Sequence, residues 1–291
     1  TSSTRTVSLF VMHARESEGL TNYKAFLSWA LELPQPLTRV EVRSDLVFVI
    51  ERSLERNGIF YFTFISGDPS EIPLFFNDET GRVEKGPNGP DTWPVRQTSV
   101  IIDPYTRLVA VENRRAGVGS VNLERYFRLL ARERGYASDL TFDLAIQPSP
   151  SFQEELNRFE RIREATVVIT RPNTDWDDAE DAVADLADAT DAHKASVTVN
   201  AARGGSLNPN AGLLSVIRNQ VRRPQTSISN VRVVGTREGE TQERSLSLAR
   251  HQVKSEVRIP KNATNQQERE TVWEAAVSLV HVTAQILGLT R

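Results

Sequence analysis

Along residues 5–14, Val7, Leu9 and Val11 alternate with Ser8, Phe10 and Met12, and this period of two predicts a first strand. From Thr21 to Leu33 the period lengthens. Tyr23, Phe26, Leu27, Ala30 and Leu31 fall at i, i+3, i+4, i+7 and i+8, one face of a helix, and Pro34 and Pro36 end it. Strands are predicted at 38–43, 46–53 and 58–66, the last two joined through Asn57-Gly58, a hairpin signal. The aromatic run 59–65, I-F-Y-F-T-F-I, reads as a buried strand before it reads as a stacking platform for bases. Residues 67–94 are rich in Gly, Pro, Asn and Asp and predict a long loop. A second hairpin pairs 99–102 with 107–112 through Asp103-Pro104-Tyr105-Thr106, a type I turn composition. A helix capped at Asn122 follows, with Leu123, Tyr126, Phe127 and Leu130 on one face and Gly135 at its end.

The second half opens on another alternation, Leu140, Phe142, Leu144 and Ile146 against Thr141, Asp143, Ala145 and Gln147, stopped by Pro148 and Pro150. Ser151 with Glu154 three residues on is a capping-box pattern, and Phe152, Leu156 and Phe159 make the apolar face of the helix it predicts. Ala165–Thr170 is a β-branched strand ended by Arg171-Pro172-Asn173. Asn173 or Thr174 then caps a helix with Asp175, Asp177 and Asp178 in its first turn, where carboxylates offset the helix dipole, and with Trp176, Ala179, Val183 and Leu186 on its buried face. A short strand at 195–200, a turn at Arg203-Gly204-Gly205 and a helix from about 208 to 221 carrying Leu213, Leu214, Val216, Ile217 and Val221 come next. Two long strands, 227–237 and 242–259, form a hairpin across Glu238-Gly239. Thr264 with Gln267 caps a last helix with Val272, Trp273, Ala276, Leu279, Val280 and Leu287 on one face. The expected fold class is α+β in two domains, 1–137 with the loop 67–94 and 138–291 ending in the long hairpin and helix, each a mostly antiparallel or mixed sheet packed with amphipathic helices.

Composition narrows the function classes. The 291 residues are 39% hydrophobic and 25% charged, ordinary for a chain that buries sizeable cores. No run approaches the ~18 apolar residues of a membrane span, and no signal-peptide pattern opens the chain, so a cytoplasmic protein is expected. With no cysteine, disulfides, thiolate metal sites and cysteine nucleophiles are excluded. The net charge of −3 gives no global basic signature, but its distribution is uneven. Asp is concentrated between Asp175 and Asp191, whereas Arg dominates from Arg203 to Arg258 and greatly outnumbers Lys in the chain as a whole.

Catalytic and metal signatures are weak. His13, His193, His251 and His281 form no H-x-x-x-H pair, and the spacing of Asp185, Asp188 and Asp191 reads as a solvated helix face rather than a metal site. Gly204-Gly205-Ser206 is a three-residue likeness to a nucleophile loop without G-x-S-x-G. Neither it nor Gly117-x-Gly119 completes a phosphate-loop motif, and both read as turns. No cofactor, metal or catalytic residue is assigned, and the expectation is a non-enzyme. The strongest functional feature is basic: Arg203, Arg218, Arg222, Arg223, Arg232 and Arg237 gather around one helix and the strand after it, with Arg218 and Arg222 on one helix face. The planar guanidinium fork suits phosphates, so these six are the candidate DNA-binding residues; a solvated surface is the alternative.

The order of elements resembles the RexA-like family of phage-exclusion proteins and their bacterial relatives. The segments that carry the resemblance are the hairpin S-V-I-I-D-P-Y-T-R-L-V-A-V-E, the helix N-L-E-R-Y-F-R-L-L, then D-L-T-F-D-L-A-I-Q-P and R-I-R-E-A-T-V-V-I-T-R-P-N. The resemblance implies a two-domain homodimer that binds DNA with little sequence preference in anti-phage defence and works with a membrane partner from the same operon. It departs from the family where G-G-S-L-N-P-N stands in place of a denser Lys/Arg run. The alternatives are an interaction module that senses a phage protein and, third, a metal-dependent nuclease.

Overall fold

The computed structural model describes residues 3–16, 19–77, 81–86, 92–115, 117–170 and 194–289. Its spine is β1 (Ser3–Glu16), in which Val7 to Ala14 are buried without a break, as expected of a strand covered on both faces. Along one side, β9 (Leu108–Asn113) pairs from Thr6 to Val11. The other side is shared. There β15 (Lys254–Ile259) pairs from Ser3 to Ser8 and β10 (Thr141–Ile146) from Phe10 to Arg15. Leu9 is the hand-over point: its N–H donates to Val253 O at 2.9 Å, and its carbonyl accepts from Gln147 N at 3.1 Å and from Gln252 Nε2 at 2.7 Å. The sheet continues from β9 through β8 (Arg96–Asp103), β5 (Ile59–Gly67) and β4 (Leu46–Arg56) to β3 (Val40–Arg43), and β2 (Gly19–Leu20) also pairs with β1. All of its pairings are antiparallel.

Both faces of this sheet are covered. Helices α1 (Tyr23–Glu32) and α2 (Ser120–Glu133) lie on one face, where Phe26, Tyr126 and Phe127 pack with Phe48, Phe62, Phe64 and Phe142. The aromatic run of β5 is therefore core. Phe62 and Phe64 meet Tyr126 and Phe127 edge-on, with ring centroids 5.1–6.2 Å apart, a favoured aromatic geometry. The C-terminal helix α5 (Asn265–Ile286) covers the other face, with Val272, Trp273, Ala276 and Val280 on Val7, Leu9, Ile101 and Ala110. Its start is the expected capping box: Thr264 Oγ1 accepts from Gln267 N at 3.2 Å, and Gln267 Oε1 accepts from Thr264 N at 2.9 Å.

A second sheet runs in the order β12 (Lys194–Asn200), β11 (Phe159–Thr170), β13 (Ile228–Arg237), β14 (Arg244–Ser247). Helices α3 (Pro150–Asn157) and α4 (Gly212–Arg222) cover one of its faces, with Phe152, Leu156, Leu214, Ile217 and Val221 over Ala165, Val167, Val231 and Val233. Its other face is polar, and there Thr166 and Thr198 hydroxyls meet at 3.0 Å.

The chain is mixed α+β, as its periodicities predict, but several elements differ from expectation. Strands from both sides of residues 137/138 build the large sheet, because the fourteen residues of β1 offer one edge long enough for β10 and β15 end to end. The expected strand 242–259 is two: β14 stays in the second sheet, a 3-10 turn at Leu248–His251 redirects the chain, and β15 joins β1. The loop 67–94 contains a small hairpin, β6 (Leu74–Asn77) with β7 (Arg82–Lys85). Helix α2 is capped at Gly119 rather than Asn122. Ser151 and Glu154 form no capping box: Ser149 is the N-cap and Pro150 takes the first helical position, where its missing N–H costs nothing. Phe159 belongs to β11, not to the helix before it. The helix expected after Arg171-Pro172-Asn173 lies outside the described residues.

Candidate nucleic-acid interface

From Lys194 to Arg237 the chain carries six arginines and no Asp or Glu. The fold does not keep these arginines together; it sorts them. Arg203 stands exposed in the turn between β12 and α4. Gly204 there adopts φ +78°, which only glycine takes at little cost, and Gly205 N donates to Ala202 O at 2.8 Å. Arg161 of β11 donates from Nε to Gly205 O at 2.8 Å, so a second exposed arginine borders this turn. Sequence reading missed it; its only signal was the R-I-R alternation of a strand that begins earlier than expected.

Arg218 and Arg222 lie one turn apart on α4, and Gln153 of α3 spans them. Gln153 Nε2 donates to Arg218 O at 3.1 Å, and Arg222 Nε donates to Gln153 Oε1 at 3.3 Å. Arg222 is exposed and sits in the last turn of α4, followed by Arg223 at its C-cap, where cations offset the negative end of the helix dipole. The apolar stripe Leu214, Ile217, Val221 faces the sheet; Arg218, beside Ile217, is half-buried and its Nε is buried without a hydrogen-bond partner among the described residues, whereas Arg222 is exposed.

The last two arginines go elsewhere. Arg232 lies between Val231 and Val233, which are buried under α3 and α4, so strand alternation places it on the opposite, polar face of the sheet. There it stands 3.8 Å from Glu164 Oε1 and 3.3 Å from Ser245 Oγ. Arg237, at the end of β13, is paired with Glu155 of α3, whose other carboxylate oxygen accepts from Arg158 at 2.7 Å. Arg163 and Arg244 are paired with Glu243 and Glu240, at 2.7 and 2.8 Å. Among the described residues, then, Arg203, Arg218 and Arg222 have no carboxylate partner within ion-pair distance, and Arg232 and Arg237 do.

The other candidate chemistry resolves into structure. Ser206 Oγ accepts from Ile162 N at 3.0 Å and donates to Leu207 O at 3.1 Å, holding the glycine turn against β11. Gly117 packs against Thr98, whose hydroxyl accepts from Val118 N at 3.1 Å. No group of three metal-ligating side chains occurs among the described residues; Asp185, Asp188, Asp191 and His193 lie outside them. His251 Nδ1 is 3.0 Å from Ser151 Oγ. His13 is wholly buried, its Nε2–H donates to Thr226 O at 2.9 Å, and burial pushes its pKa down to about 4 against the opposing pull of that bond and of Asp143. No helix among the described residues is long and apolar enough to cross a membrane.

Against known proteins, residues 12–276 match the model of a family described only as a domain of unknown function, DUF4747. No curated protein matches the chain.

Proposed function

We propose that this chain, which belongs to the DUF4747 family, binds the phosphate backbone of duplex DNA through Arg218, Arg222 and Arg223, without base readout and without catalysis. The observation that carries this reading is the sorting of charge in the second sheet unit. Glutamates neutralise Arg158, Arg163, Arg232, Arg237 and Arg244, yet on α4 the Arg222 guanidinium meets an amide, Gln153, rather than a carboxylate, and the same amide holds the α4 backbone at Arg218 O. An amide orients a guanidinium without cancelling its charge, which suits a surface meant for a mobile polyanion. Arg203 and Arg161 are further exposed arginines, at the glycine turn. The setting in anti-phage defence rests on the RexA-like order of elements.

An electrophoretic shift titration of duplex DNA across salt concentrations tests the reading. Binding that weakens along a straight line of log K against log salt, with a slope of about −0.9 per phosphate neutralised, is the expected result, with equal affinity for unrelated sequences. Absence of binding at low salt contradicts it. Capture of a phage protein with no affinity for DNA would instead favour the interaction module.

A further inference from the structure

Helix α2 carries a second group of arginines, far in sequence from those of α4. Arg125, Arg128 and Arg132 fall at i, i+3 and i+7, so they share one stripe of the helix. The opposite stripe, Leu123, Tyr126, Phe127, Leu130 and Ala131, is buried on the large sheet, which turns the arginines away from the core. Arg125 and Arg132 are exposed and Arg128 is half-buried.

The acidic residues of α2 do not neutralise this stripe. Glu124 is buried and its carboxylate accepts from Leu144 N at 2.8 Å, and Glu133 lies 3.8 Å from Arg134. Arg134 is itself taken up by the fold, donating to Leu37 O at 2.7 Å and to Arg39 O at 3.0 Å. Arg128 donates from Nε to the Glu124 backbone carbonyl at 3.3 Å, within its own helix. Among the described residues, no carboxylate stands within ion-pair distance of Arg125, Arg128 or Arg132. Like charges three and four residues apart weaken a helix, and of the three only Arg132, in the last turn, is offset by the helix dipole. A stripe that weakens its own helix and forms no ion pair within the chain is accounted for by an anionic partner.

The spacing suits a phosphate backbone. Arg125 and Arg132 are about 10 Å apart along the helix axis, the advance of roughly three nucleotides on one strand of a duplex, and the guanidinium fork matches phosphate oxygens. A helix lying on a lipid surface turns its apolar stripe to the membrane, whereas that stripe of α2 is committed to the core. We infer that the stripe of Arg125, Arg128 and Arg132 is a second phosphate-binding face for duplex DNA, on a different sheet from α4. The identity of the partner rests on the reading of α4 given above; the unpaired stripe does not.

Salt titrations of duplex DNA binding by Arg125→Gln/Arg132→Gln test it, with these changes made alone and together with Arg218→Gln/Arg222→Gln/Arg223→Gln. Both α2 positions are exposed, so the thermal midpoint is expected to stay at the wild-type value. The double variant is expected to bind more weakly, with a slope of log K against log salt shallower by about 2, and to remove most of the binding that the α4 variant retains. Arg134→Gln removes a charge from the same helix end, but one already held by Leu37 and Arg39, and is expected to keep the wild-type slope. A double variant with wild-type slope and affinity overturns the inference, even where the α4 variant binds weakly. A weakened double variant beside an unaffected α4 variant removes the α4 reading and leaves this one standing. Equal weakening by Arg134→Gln overturns it, since net charge alone then carries the effect. Binding to anionic lipid vesicles that the double variant loses, with DNA affinity unchanged, assigns the stripe to a membrane and also overturns it. A wild type that binds no duplex at low salt overturns both readings.

Discussion

His13 is the residue whose chemistry is most constrained by its surroundings. It is 3% exposed, its Nε2–H is committed to Thr226 O, and its Nδ1 has no hydrogen-bond partner among the described residues. Asp143 and Arg107 act on it with opposite sign, and desolvation outweighs both, taking the pKa from 6.5 to about 4. The folded state therefore holds a neutral imidazole that the unfolded chain protonates near pH 6.5. Stability from this group is complete above about 6.5 and is lost as pH falls toward 4. Between pH 7 and pH 5 the loss amounts to about 2 kcal/mol. Urea melts at the two pH values check it: His13→Gln is expected to flatten that part of the dependence, and parallel curves for the two proteins would contradict the assignment. Sequence alone leaves His13 undistinguished, since its significance comes from Thr226, 213 positions away. The cap of the last helix was legible for the opposite reason: Thr264 and Gln267 complete their bonds within four residues.

Among the elements, helix and strand periodicity was legible, while two local caps, Asn122 and Ser151 with Glu154, were misplaced and pairings set by a distant neighbour were not visible. The stripe of α1 and the Asn57-Gly58 turn follow from spacing and positive φ. By contrast, nothing between Arg244 and Ile259 announces that β14 and β15 belong to different sheets. The partners decide it: β13 takes up Leu246 and β1 takes up Val257. A similar dependence fixes the register of β11 on β13. The ladder is irregular between Phe159 and Arg161, opposite Thr236 and Arg237, and Gly235 lets Arg161 pass so closely that an added Cβ would lie 2.1 Å from its carbonyl oxygen. Gly235→Ala is therefore expected to destabilise the protein by about 2 kcal/mol or more, measured by thermal or urea unfolding. A change within about 0.5 kcal/mol would mean that β11 moves freely at this point. A further expectation concerns the edge of the large sheet, where Glu124 of α2 accepts from the Leu144 N–H of β10 at 2.8 Å while only 3% exposed. Glu124→Ala leaves that donor buried and unmatched, and a loss of about 1–3 kcal/mol is expected in the same assay.

At the scale of the molecule, β1 links stretches of chain far apart in sequence. A charge network reinforces it: Arg5 of β1 lies 3.5 Å from Glu112 of β9 and 2.6 Å from Glu268 of α5, and Arg114 joins both carboxylates. Burial raises the Glu112 pKa in spite of both arginines. The α+β class was legible because amphipathic helices and alternating strands carry it locally. The pairing of β10 and β15 with β1 was not, because antiparallel strands pair without regard to distance along the chain. The candidate interface shows the same limit. Six arginines close in sequence look like one cluster, but the second sheet places Arg232 on the far face from α4, and Arg237 is taken up by Glu155. Only the folded chain distinguishes an arginine with a glutamate partner from one beside Gln153.

That distinction leads to the most direct measurement. Duplex DNA affinity is to be followed across salt for the wild type, for the triple change Arg218→Gln/Arg222→Gln/Arg223→Gln, and for Arg237→Gln. The triple variant is expected to bind more weakly at every salt concentration, with a slope shallower by about 2–3 for three lost phosphate contacts. Arg237→Gln is expected to lower the thermal midpoint and keep the wild-type slope, because its guanidinium already serves Glu155. A triple variant with the slope and affinity of the wild type would contradict the account.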